Sequence, residues 1–122
     1  MANETNVLGV LEFYSKDQFS KIQTELQKLG DKNLFNIVTN GEHINNRGSI
    51  LIPFAKIIRA EMDDEDFLIS KLKELISIFS FVSMFCIQVY IDYYNRGVIR
   101  YTLLFSEGEL SIQKHKCEFS QE

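Results

Sequence analysis

Thiol and imidazole chemistry in this chain rests on two cysteines, Cys86 and Cys117, and two histidines, His43 and His115. His115 and Cys117 stand at an i, i+2 spacing, which on a strand points both to one face and makes a nucleophile–base pair conceivable. Such a pair also needs an oxyanion site and an orienting acid, and no residue of the sequence identifies either. Two ligands do not make a zinc site. Cys86, inside Met84-Phe85-Cys86-Ile87, reads as a small buried apolar residue. No Walker loop, G-x-G-x-x-G, H-E-x-x-H or G-x-S-x-G occurs. The expectation is no catalytic residue, no metal and no cofactor, with a small enzyme using His115 and Cys117 as an alternative.

Charge offers a sharper feature. Glu61, Asp63, Asp64, Glu65 and Asp66 crowd one stretch. A helix start explains all of them, because carboxylates cap free amides and oppose the positive end of the helix dipole. The D-x-D-x-D-G order of a calcium loop is absent. The same carboxylates suit an acidic patch that pairs with lysines and arginines of a partner. Tyr90, Tyr93, Tyr94 and Tyr101 surround the Asn95-Arg96-Gly97 turn, with Arg100 beside them. Tyrosine and arginine anchor interfaces because they bury much area and keep a polar tip, although cross-strand tyrosine packing accounts for the same residues. The candidate partner-binding set is therefore Glu61, Asp63, Asp64, Glu65, Asp66, Tyr90, Tyr93, Tyr94, Arg96 and Tyr101.

The elements that must position these residues follow from periodicity. Val7 to Tyr14 is a short, nearly continuous apolar run, expected as a buried first strand. Ser15-Lys16-Asp17-Gln18 has the form of a capping box, and Phe19, Ile22, Leu26 and Leu29 then share one stripe, so a helix is expected over about 16–29. Gly30 suits its left-handed end. Leu34 to Thr39 reads as a second strand, followed by an Asn40-Gly41 hairpin signal and a turn-rich Glu42–Gly48 that leaves a tight turn and a longer loop both open. From Ser49 to Met62 alternation favours a strand, at an edge because Pro53 has no amide to donate; a helix starting at Pro53 is the rival. The acidic stretch opens a helix carrying Leu68, Leu72, Leu75, Ile76 and Phe79. Phe81–Tyr94, Val98–Phe105 and Leu110–Phe119 read as strands, the last guarded as an edge by Lys114 and Lys116. The expected fold is α+β: a ferredoxin-like βαββαβ antiparallel sheet with two helices on one face and a C-terminal β-hairpin extension, in a single domain over 1–122.

Composition fits that picture, with 45% hydrophobic and 25% charged residues. A net charge of −4 repels phosphate backbones, so general nucleic-acid binding is not expected. The K/R-G-F/Y-G/A-F-V-x-F/Y signature of an RNA-recognition motif is missing, which leaves an RNA-binding or regulatory module as an alternative. The N-terminus lacks a secretory pattern and Leu75–Tyr90 falls short of a bilayer span, so a cytoplasmic location with no membrane contact is expected. In size, acidity and lack of motifs the chain is similar to immunity proteins that neutralise bacterial toxins. The net acidity suits docking onto a basic protein partner such as a toxin domain, for instance a nuclease. A phage-encoded inhibitor of a host defence protein is the nearest alternative.

Overall fold

The computed structural model describes residues 4–14, 16–30, 34–37, 43–59, 65–93 and 97–117. Strand β1 (Glu4–Phe13) leads through a 3-10 turn at Lys16–Gln18 into helix α1 (Phe19–Leu29); β2 (His43–Ile44) and β3 (Ile50–Arg59) precede helix α2 (Glu65–Ile78), and β4 (Met84–Tyr93), β5 (Gly97–Ser106) and β6 (Glu109–Lys116) follow. The fold is α+β, with one antiparallel sheet of six strands in the order β2-β3-β1-β4-β5-β6. The order across all six differs from that of a four-stranded ferredoxin-like sheet, because β5 and β6 widen the sheet beyond β4.

Alternation along the strands divides the sheet into two unlike faces. Val7, Leu11 and Phe13 of β1, Ile50, Ile52, Phe54 and Ile58 of β3, the odd positions Phe85–Tyr93 of β4 and Ile99–Phe105 of β5 point one way and form a single core with Ile22 and Leu26 of α1 and Leu68, Leu72, Leu75 and Ile76 of α2. An aromatic knot holds the wide end of this core: the Phe13 ring lies 5.3 Å from both Phe79 and Phe85, and Phe85 lies 5.3 Å from Phe105. No helix among the described residues covers the other face, which carries Leu8, Val10, Ala55, Ile57, Gln88, Tyr90, Arg100 and Thr102.

The strand expected at Leu34–Thr39 is corrected over its described part. Leu34–Ile37 forms a turn and irregular chain, because Asn36 takes a left-handed φ of 52° that no strand continues through. Phe35 and Ile37 are nevertheless buried, and the Phe35 ring packs 5.9 Å from Phe54, so their apolar character serves a plug in the core. Residues 38–42, with the Asn40-Gly41 signal, lie outside the described residues. The turn between β2 and β3 falls at Asn45–Ser49, where the Asn45 Oδ1 accepts from the amides of Arg47 (2.9 Å) and Ser49 (3.0 Å), and Gly48 supplies a φ of 82°. Helix α1 starts at Phe19, and Gln18 at its N-cap makes no side-chain cap bond; Ser15 lies outside the described residues. Residues 50–59 are a strand, and Pro53 sits past the two-residue β2, on a stretch of β3 paired among the described strands only to β1.

Candidate functional site

Helix α2 begins at Glu65. One turn of chain brings its first carboxylate over β5 and β6, where Glu65 Oε1 accepts a 2.7 Å hydrogen bond from Lys114 Nζ. The Tyr101 hydroxyl oxygen lies 2.9 Å from that of Tyr93, and the Glu65 carboxylate acts on the same hydroxyl electrostatically. Either hydroxyl can donate in the tyrosine pair. Burial raises the Tyr101 hydroxyl pKa above the usual phenol value; the Tyr93 bond opposes that shift and Glu65 adds to it. The chain Tyr93–Tyr101–Glu65–Lys114 thus ties the start of α2 to three strands. Outside it, an open groove of about 480 Å³ runs between α2 and β6, lined by Ile69, Ser70, Lys73, Ile112 and the Glu65–Lys114 pair.

The tyrosines expected to gather around one turn divide between the two faces. Tyr93 and Tyr101 are 2% and 1% exposed under the helices, whereas Tyr90 is 44% exposed on the open face. Glu65 is already engaged within the chain, and Asp66 is exposed beside it. Glu61, Asp63, Asp64, Tyr94 and Arg96 lie outside the described residues.

Sheet register builds a second surface around Tyr90. Leu8 of β1 and Arg100 of β5 flank it directly, and Ala55 lies beyond Leu8 and His115 beyond Arg100 in the same row. Leu8 and Ile57 are 60% and 52% exposed. The apolar centre is therefore Leu8, Ile57 and Tyr90, with Asp92 in the same row as Ile57. Leu8 escaped the sequence reading because the run Val7–Tyr14 is apolar on both faces and hides its own alternation. Ile57 did leave a signal, since it stands out of phase with the inward series Ile50, Ile52, Phe54 and Ile58.

Thiol and imidazole groups also lie on the open side. His115 is exposed opposite Arg100, and the Cys117 amide donates to the Val98 carbonyl at 2.9 Å. No group of three or more His, Cys, Asp or Glu side chains is placed to hold a metal among the described residues. Cys86 is 5% exposed on the open side rather than beneath the helices, between Glu12 and Leu104. Burial first and the Glu12 carboxylate second push its thiol pKa up, while a hydrogen bond from Tyr14 pulls the other way. Both cysteines are free.

Compared with protein-family models, curated proteins and solved structures, the chain matches none. None of its described helices is long and apolar enough to cross a membrane.

Proposed function

We propose that this chain is a protein-binding inhibitor that works by occupying another protein, in the manner of immunity proteins that neutralise bacterial toxins. The observation that carries the reading is the uncovered strip of Leu8, Ile57 and Tyr90. An apolar and aromatic centre rimmed by Arg100, His115 and Asp92 has the composition of a contact surface. Charge supplies the class of partner: at a net −4 the chain attracts a basic protein, such as the substrate-phosphate site of a nuclease, and the acidic start of α2 adds to that attraction. A phage-encoded inhibitor of a defence protein would use the same surface and the same forces. The reading puts the chain in the cytoplasm. A ferredoxin-like origin of the fold is supported by β1 lying between β3 and β4, with α2 connecting those two strands.

Cross-linking in source cells, followed by mass spectrometry of whatever is held, identifies the partner. Its activity is then measured with and without an equimolar amount of this chain. Inhibition is expected, and Tyr90→Ala should weaken it by about thirtyfold through faster dissociation, as truncation of a central aromatic anchor does. Turnover of a small molecule by the purified chain, lost in His115→Ala, overturns the reading. So does salt-sensitive RNA binding that is lost in Tyr90→Ala.

A further inference from the structure

The two edges of the sheet are built differently. At one, β2 is only two residues long and β3 carries Pro53. At the other, β6 runs for eight residues, Glu109–Lys116, without proline or glycine, and no described strand lies beyond it. Long regular edges of this kind template further strands, and proteins commonly blunt them. Lysines are one such device; of the two on this edge, the Lys114 ammonium is met within the chain by Glu65 at 2.7 Å and Lys116 is the last residue of the strand.

We propose that β6 is a self-association edge: two copies pair antiparallel along it, in the register that sets Ile112 against Ile112 of the second copy, and join their sheets into one of twelve strands.

Backbone geometry permits this. In an antiparallel ladder, alternate residues direct both their amide and carbonyl toward the same neighbour. The Cys117 amide donates to Val98, so the odd positions of β6 face β5, and Leu110, Ile112 and Lys116 turn their backbone groups outward. A two-fold axis perpendicular to the sheet keeps both sets of helices on one side and requires outward-bonding residues to meet outward-bonding residues.

Charge sets the direction of pairing. Glu107 lies in the turn before β6 and Glu109 at its start, with His115 and Lys116 at its end, so antiparallel pairing lays the acidic end of each copy along the basic end of the other. Parallel pairing would oppose like with like. Two symmetric registers centre the strand. In one, Ile112 meets itself, Leu110 meets Lys114, and Glu109 meets His115. In the other, Gln113 meets itself and Ile112 meets Lys114. The first is favoured because Ile112 is 38% exposed and lies beside Ile69 on the α2–β6 groove, so that pairing covers its apolar surface. An isologous contact of this kind closes at two copies.

Sedimentation equilibrium of the full chain tests the idea. A dimer of twice 14.2 kDa is expected, and a monomer at every concentration up to about 0.5 mM, or open-ended growth, overturns it. Directly opposed, hydrogen-bonded residues have Cα atoms about 5.5 Å apart, within reach of a disulfide. Ile112→Cys in a Cys117→Ser background should therefore cross-link two copies on oxidation. Cross-linking by Gln113→Cys in its place overturns the register. Glu109→Lys and His115→Glu should each raise the dimer dissociation constant at least about tenfold, and mixing the two variants should restore association, because each then meets its opposite. These exposed substitutions spare the core, which an unchanged far-ultraviolet circular-dichroism spectrum of each variant will verify. Dimers that survive both substitutions and disappear in Leu8→Lys would assign the contact to the open sheet face and overturn the proposal.

Discussion

Thr5 is fully buried on the helix-covered face of β1, opposite Ile58, and its hydroxyl has no hydrogen-bond partner among the described residues. A desolvated hydroxyl without a partner costs free energy that a methyl of the same shape does not. Thr5→Val should therefore raise stability by about 1 kcal/mol in urea unfolding, with an unchanged m-value. Cys86 makes a second prediction at this scale. Its thiol pKa is raised in the folded chain, so the protonated form is favoured by folding. That contribution is complete below the unfolded thiol pKa, about 8.5, and is lost as pH rises through the folded value. Stability should fall with rising pH in this alkaline range, and Cys86→Val should flatten that part of the pH–stability curve. In the native protein at neutral pH, Cys86 should react with a thiol reagent far more slowly than after denaturation.

At the scale of elements, the polar chain from Tyr93 to Lys114 does what apolar packing cannot: it fixes where α2 begins relative to β4, β5 and β6. Tyr101→Phe removes the hydroxyl that bonds Tyr93 while leaving the ring in place. The expected loss is about 1–3 kcal/mol of stability, measured by thermal and urea unfolding. Most elements were legible in the sequence. The helical stripes of α1 and α2, the alternation in β4 and the Glu107-Gly108 turn, with φ of 51° and 82°, all carry local signals that tertiary packing reinforces. Leu34–Ile37 was not legible, because Phe35 and Ile37 are apolar for the same reason that strand residues are, and only the left-handed Asn36 separates a plug from a strand.

Across the whole molecule, one sheet face builds the core with the helices and the other has no described helix over it. The candidate tyrosines are near one another in the chain, but strand alternation sends residues three apart to opposite faces, as it does Tyr90 and Tyr93. Nearness of Leu8 to Tyr90 is invisible in sequence for the converse reason, since it depends on which strands pair and in what register. This division of labour makes a contrast that experiment can resolve. Ile87 lies on the covered face, fully buried, and Ile87→Asp buries a carboxylate among apolar side chains. An unpaired charge there costs several kcal/mol, of the order of the whole stability of a small domain, about 5–15 kcal/mol, so the variant should lose its cooperative unfolding transition. Leu8→Lys and Ile57→Lys place charges on the other face at positions more than half exposed, where the ammonium stays in water and the stem lies along the sheet. Each should change stability by less than about 0.5 kcal/mol. Binding through the Leu8–Ile57–Tyr90 strip should nevertheless fail in both, because the lysine head would have to be desolvated against the apolar centre of the contact. Melting curves and partner affinity measured on the same three variants test this together, and a Leu8→Lys variant that unfolds would mean that the open face is part of the core.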